Sequence, residues 1–349
     1  MLANSRPCPD EATLVALASG HVSELFAGPL RAHIDSCPGC QLAVAEAVRT
    51  APRQQSFPLR APAVLTVGTV IAGNYRLDEQ VGEGGTGIVW AATRIPDGGR
   101  VAIKVLRAAR HDLCLRLRGE ADLAQRVEHA GIVRVFEVLE LADRAQPALV
   151  MELLQGADLA DFLRRTGRLS VSRVLAIMHP VVDAVLALHR HAIAHRDLKP
   201  SNIFLERRGE EEHVRVLDLG MARSLDLERR TVESTRVTYP GTVLGTPRYM
   251  APEQLAAEEG VDGRADVWAL GAVLYEMLSD VPHVEASLYE DVVRELATRS
   301  IVALERRAPH VPRVLAEAVD RALCRDPGRR PTAEELRRTI TSAREACSP

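Results

Sequence analysis

Eight consecutive residues, His195-Arg196-Asp197-Leu198-Lys199-Pro200-Ser201-Asn202, put an imidazole, a guanidinium, a carboxylate, an ammonium and a carboxamide into one short stretch. In that set Asp197 is suited to orient an attacking hydroxyl or accept its proton, and Lys199 to neutralise charge on a transferred phosphoryl group. Asn202 is suited to hold a metal ion. Sixteen residues after Asn202, the strand-like run Val214-Arg215-Val216-Leu217 ends in Asp218, a hard oxygen donor of the kind Mg²⁺ takes. Taken alone, Asp218-Leu219-Gly220 also reads as an ordinary exit from a strand into a turn. Upstream, Gly82-Glu83-Gly84-Gly85-Thr86-Gly87-Ile88-Val89 has glycines at 82, 84 and 87 that let the backbone approach a phosphate chain, and the same pattern suits a hairpin turn. Val101-Ala102-Ile103-Lys104 carries a lysine behind three apolar residues, and a buried ammonium needs partners. Glu120, on a helical segment that follows, is the natural one; the alternative is that both charges lie on solvent faces.

A second group of chemically capable residues sits near the N-terminus. His33 and Cys37 are four residues apart, so on a helix they share a face, and Cys40 follows across Pro38-Gly39 at a zinc-compatible spacing. Cys8 can complete a Cys₃His tetrahedron. A small helical bundle with incidental thiols is the alternative, and no βαβ unit surrounds the Cys-x-x-Cys to make it a thioredoxin-like motif. About forty residues bury too little apolar surface for stability alone, which a structural metal would remedy.

These groups need elements to hold them. Residues 11–19 and 30–48 repeat apolar positions at helical spacing, and three prolines in residues 51–62 mark a linker. Between residues 75 and 150, short segments rich in Val, Ile and Gly, with one helical interval at 113–127, predict a small antiparallel sheet carrying one helix. From residue 157 onward helical periodicity dominates, at 172–191, 265–278, 311–324 and 333–343. The fold class is therefore α+β: a helical unit over 1–48, a linker over 49–72, a two-lobed domain over 73–342 divided after residue 151, and a tail over 343–349.

Composition narrows the function. With 349 residues, 46% apolar and 26% charged, whole-chain disorder is excluded. Lys+Arg 44 against Asp+Glu 47 leaves a net charge of -3, without the basic excess that nucleic-acid binding uses. The most apolar stretch, 174–188, contains His179, Pro180 and Asp183 and so does not read as a membrane span. The first residues have no apolar leader, so the expected compartment is the cytoplasm, and six cysteines are too few for a disulfide scaffold.

In order and spacing, the glycine loop, Val-Ala-Ile-Lys, the helical Glu, His-Arg-Asp, Asp-Leu-Gly and Ala251-Pro252-Glu253 resemble the eukaryotic-like Ser/Thr protein kinases of bacteria, over about residues 75–340. Gly245-Thr246-Pro247, Asp266-Val267-Trp268 and Arg330 extend the match. The resemblance implies a bilobal kinase fold with Asp197 as catalytic base, Lys199 beside it, Lys104 on the α and β phosphates and paired with Glu120, and Asn202 and Asp218 on Mg²⁺. It implies an ATP site formed by Gly82, Glu83, Gly84, Gly85, Thr86, Gly87, Val89 and Ala102. Met151 would be the gatekeeper, and Glu152 to Leu154 the hinge. Arg330 would pair with Glu253, and Thr246 would orient the catalytic loop. Arg196 would engage a phosphorylated loop residue, with Thr238 the first candidate, then Thr242 and Thr235, and with Thr231 and Ser234 also in that loop. Two departures are Leu219 in place of Phe and a short Lys104 to Glu120 interval containing Gly119. Cys8, His33, Cys37 and Cys40 resemble the zinc-binding anti-sigma-factor domain over about residues 8–48, which implies a structural Zn²⁺ and a sigma factor or other regulator as partner. The expected partners are otherwise ATP and protein substrates. The alternative function is a non-catalytic kinase-fold scaffold whose zinc domain holds a transcription regulator.

Overall fold

Strict alternation builds the smaller lobe. In Arg100–Leu106 the side chains of Val101, Ile103 and Val105 are buried on one face of the strand, while Ala102 joins a separate apolar cluster on the other. The computed structural model describes residues 33, 37, 39, 40, 65–84, 87–106, 118, 119, 121, 122, 125–141, 146–218, 223, 224, 247–256, 258 and 260–347. The chain divides into two units, with residues 1–64 in one and residues 65–237 and 243–349 in the other. The larger unit opens with a six-stranded antiparallel sheet in the order β1-β2-β3-β4-β6-β5: Val70–Ile71, Tyr75–Glu83, Gly87–Arg94, Arg100–Leu106, Val135–Leu141 (β5) and Gln146–Glu152 (β6). One face of the sheet buries Tyr75, Leu77, Trp90, Ile103 and Val150. The sheet begins at Val70, inside the stretch read from sequence as linker, because Ile71 is buried against it.

The second lobe is helical around Val171–Arg190 (α2), capped by the Ser170 hydroxyl accepting from the Arg173 N–H. A β-strand Gly156–Asp158 (β7) and a short helix Leu159–Thr166 (α1) lead into it. By length and composition α2 is apolar enough to cross a membrane, with mean hydropathy 1.7, and it is buried instead in the core of this lobe. The short pair Ile193–Ala194 (β8) and Arg223–Ser224 (β11) flanks the hairpin of Ile203–Arg208 (β9) and Glu211–Val216 (β10), which with β7 forms a three-stranded sheet. Helices Pro252–Leu255 (α3), Arg264–Ser279 (α4), Tyr289–Thr298 (α5), Leu304–Arg307 (α6), Arg313–Ala322 (α7) and Ala333–Ala346 (α8) complete it. Thr332 and Glu335 form a capping box that starts α8, which packs along α2 and runs to Ala346, into the residues read as a tail, with Ala343 and Cys347 against the core.

Main-chain bonds also pin the lobes behind the hinge. Ile132 bridges Val216, the Val133 N–H donates to Val216 O at 3.0 Å, and the Val216 N–H donates to Gly131 O at 2.7 Å. Of the described residues in the helical interval expected at 113–127, residues 118, 119, 121, 122 and 125 are helical, while 126 is in a turn and 127 is outside the helix.

Candidate active site

The strand β10 ends at Val216, and the next two residues enter the lobe junction. There Lys104 Nζ donates to Asp218 Oδ2 at 2.6 Å, an ion pair whose side chains are both mostly buried. Glu120, expected as the lysine's partner, lies outside the described residues. Beyond the pair, the eight-residue stretch folds back on itself: Lys199 Nζ donates to Asp197 Oδ2 at 2.8 Å, and Asn202 Nδ2 donates to Asp197 O at 2.7 Å and to Asp197 Oδ2 at 3.1 Å. With its NH₂ turned to Asp197, Asn202 keeps its Oδ1 as an acceptor. The Leu217 N–H donates to Asn202 O at 2.8 Å, so the two chain segments that carry Asn202 and Asp218 run side by side. These are hard oxygen donors of the type Mg²⁺ takes, and the donor set fits that ion.

The loop of residues 195–202 is held in a costly shape by one carboxylate. Arg196 and Asp218 have φ of 64° and 54°, left-handed values that a non-glycine residue adopts at a cost of about 1 to 3 kcal/mol. Asp266, fully buried on α4, accepts from the N–H of Arg196 at 2.7 Å, the N–H of His195 at 2.8 Å and Nε2 of His189 at 2.8 Å. Burial pushes the Asp266 carboxyl up, but the His189 hydrogen bond, the charges of His189 and His195 and the Arg196 N–H outweigh it and hold the carboxyl below its usual range. The His195 ring is itself fixed: Nε2 donates to Leu217 O at 2.9 Å and Nδ1 accepts from the Asp197 N–H at 3.3 Å. Arg196 donates from its guanidinium to Val261 O, and its own carbonyl accepts from Gln254 at 2.9 Å, tying the loop to α3.

A separate apolar cluster joins the sheet to Leu217, the residue before Asp218. Ala102, Val133 and Met151 are buried there with Val89, Leu149, Leu153, Leu154 and Leu217 against them. Sequence reading expected Val89, Ala102, Met151 and Leu154 in the site, and the structure brings all four together. It missed Leu217, whose signal was its place just before Asp218, and Val133, which no local pattern marks. Gly82 and Glu83 end β2, Gly84 follows them and Gly87 begins β3; Gly85 and Thr86 lie outside the described residues. At Gly87 a Cβ would sit 2.3 Å from Val105 O, so the approach of β4 admits only glycine. In the lower lobe Arg330 grips Glu253 with two guanidinium bonds of 2.6 and 2.7 Å and stacks 5.1 Å over Trp268, as expected for that pair.

In the other unit, the ligand atoms of His33, Cys37 and Cys40 lie within 4.8 Å of one another. Cys8 lies outside the described residues, as do Thr231, Ser234, Thr235, Thr238, Thr242, Thr246, Leu219 and Gly220.

A sheet lobe and a helical lobe that meet at a lysine–carboxylate pair, with a second carboxylate on the adjoining loop, make a bilobal fold. Residues 75–339 match the family model for the protein kinase domain, and the chain belongs to that family. It is 36% identical over 296 residues to the serine/threonine-protein kinase Pkn1 of Myxococcus xanthus, covering 82% of this chain and 39% of that protein. It is 34% identical over 291 residues to PknB of Mycolicibacterium smegmatis, covering 82% and 45%, and 32% identical over 288 residues to PrkC of Bacillus subtilis, covering 81% and 42%. The chain thus spans about a third to half the length of the curated relatives it matches. Among solved structures, the kinase domain of PknI from Mycobacterium tuberculosis, in a double-mutant form, shares the fold at a TM-score of 0.65 and 24% identity, covering 80% of this chain and 99% of that one.

Proposed function

We propose that this chain is a Ser/Thr protein kinase that transfers the γ-phosphoryl group of ATP to a protein hydroxyl in the cytoplasm, where ATP is abundant. The observation that carries the reading is the meeting of Lys104 and Asp218 across the lobes with Asp197, Lys199 and Asn202 beneath them. Asp197 takes the proton of the hydroxyl as its oxygen attacks the γ-phosphorus. The new O–P bond forms, the bond to the β-phosphate oxygen breaks, and ADP leaves with that electron pair. Lys199 offsets charge on the transferring group, and Lys104, with Glu120 as further partner, holds the α and β phosphates. Asn202 and Asp218 would hold Mg²⁺, which supplies charge neutralisation to the phosphates when bound. The base would lie against the apolar side chains of Val89, Ala102, Met151 and Leu217 and the backbone of residues 152–154. The test is incubation of purified protein with labelled ATP and Mg²⁺: Lys104→Met and Asp197→Asn should each abolish autophosphorylation while keeping the wild-type fold by circular dichroism. Wild-type activity in both would overturn the assignment.

Regulation is proposed at two places. Arg196, adjacent to Asp197, would receive a phosphothreonine from the loop between Asp218 and Glu253, with Thr238 first and Thr242 and Thr235 next. Mass spectrometry of autophosphorylated protein should place phosphate within residues 231–242. The N-terminal unit would carry a structural Zn²⁺ on Cys8, His33, Cys37 and Cys40 and dock a sigma factor or another regulator. Elemental analysis should find about one zinc per chain, lost in a Cys37→Ser, Cys40→Ser double variant.

A further inference from the structure

Four charged side chains close a ring behind the hinge. Glu152, the last residue of β6, accepts from the guanidinium of Arg215 on β10 and lies 4.0 Å from that of Arg208 on β9. Glu206, also on β9, lies 3.0 Å from Arg208 and 3.8 Å from Arg215. Each carboxylate therefore faces both guanidiniums, and the ring is electrically neutral. Its inner half is dry: the side chains of Arg215 and Glu206 are 8% and 7% exposed, and Arg215 Nε and Glu206 Oε2 face each other at 3.8 Å with no hydrogen-bond partner among the described residues. Glu152 also ties the ring to the segment leading into β5, since its Oε1 accepts from the Arg134 N–H at 2.7 Å and its own N–H donates to Arg134 O at 3.0 Å.

We propose that Arg215 is a positioning residue that fixes the nucleotide-binding hinge relative to the strand delivering Asp218. Arg215 stands three residues before Asp218, and Glu152 ends the strand that supplies Leu149 and Met151 to the apolar cluster beside it. A nucleotide held at the hinge by its base and at Lys104 and Asp218 by its phosphates needs both ends at one spacing. A buried ion pair sets that spacing stiffly, because separating it strands charges in a low dielectric. Removing Arg215 also leaves Glu152 and Glu206 as neighbouring carboxylates that repel, so the hinge should drift from β10. The inference rests on the nucleotide-binding part of the kinase reading, and it acts through placement; Arg215 touches no reacting atom.

The experiment measures the Kd of Mg·ADP by calorimetry and, in parallel, KM for ATP and kcat in autophosphorylation. Arg215→Met and Glu152→Ala should each raise Kd and KM together by about tenfold while kcat falls by less than about threefold. The double variant should be no worse than either single one, because both break the same pair. Glu152→Gln keeps the bonds to Arg134 and Arg215 but gives up the charge, so it should raise Kd by about threefold, less than Glu152→Ala does. Unchanged Kd in folded Arg215→Met or Glu152→Ala, or multiplied defects in the double variant, would overturn the proposal. If Arg215→Met does not fold, the contrast between Glu152→Ala and Glu152→Gln decides alone. Wild-type protein that binds Mg·ADP but phosphorylates nothing would sink the activity reading and leave this one to be judged by Kd.

Discussion

His283 is an imidazole with no chemistry to do. It is buried edge-on against the rings of Trp268, with centroids 5.6 Å apart, and Tyr275, at 6.4 Å, and among the described residues neither ring nitrogen has a hydrogen-bond partner. Burial, reinforced by the nearby Arg248 charge, pushes its pKa down from 6.5 to about 3. Between those values the unfolded chain binds a proton that the folded one refuses, so the stability tied to His283 is complete above pH 6.5 and drains away as pH falls towards 3. His283→Phe keeps the aromatic contacts and removes the two unpaired nitrogens. It should stabilise the fold by about 1 to 3 kcal/mol at neutral pH and flatten the loss of stability between pH 6 and 4. Urea titrations across that range check it, and an unchanged pH slope would refute it. At this scale the sequence was readable where residue types cluster: Lys104, Asp197, Lys199, Asn202 and Asp218 announce themselves by order and spacing. Asp266 was legible only as part of a motif, because its three hydrogen bonds come from residues some seventy positions away. The ring of Glu152, Arg208, Glu206 and Arg215 was not legible at all, since alternating charges on strands look like solvent faces until the hinge covers them.

Elements were easier to read than their contacts. Period-2 and period-3.6 patterns placed the sheet and helices α2, α4, α7 and α8 to within a few residues, whereas the start at Val70 and the extension of α8 depend on what Ile71 and Cys347 pack against. Helix α4 shows the limit. It is buried almost all round, so its pattern says core and nothing of its neighbour. That neighbour is α7, and Gly271 makes the approach possible: a Cβ there would lie 2.8 Å from the Cβ of Ala322. Gly271→Val should therefore destabilise the large lobe by about 1 to 3 kcal/mol through overpacking. Chemical denaturation measures this, and a neutral or stabilising result would mean that α7 yields freely.

On the scale of the whole molecule, the sheet and helical lobes belong to one unit, joined by the hinge, by the Lys104–Asp218 pair and by the main-chain bridge of Ile132 to Val216. For the N-terminal unit the sequence offers the ligand pattern of His33, Cys37 and Cys40 and helical spacing over residues 11–19 and 30–48, and of that span residues 33, 37, 39 and 40 are described. The kinase unit is different in kind: every level of its sequence, from cap to core, agrees with the same fold. Asp266 then has a consequence for motion. Because this buried carboxylate on α4 accepts from the amides of both His195 and Arg196, the exposure of those two N–H groups is expected to be coupled to the opening of α4. In native-state hydrogen exchange, His195 and Arg196 should trade deuterium at the slow, denaturant-sensitive rate of α4 amides such as Leu274, as members of one cooperative block. Rapid exchange insensitive to denaturant would reveal a loop that breathes on its own, and Asp266→Asn is the change expected to release it.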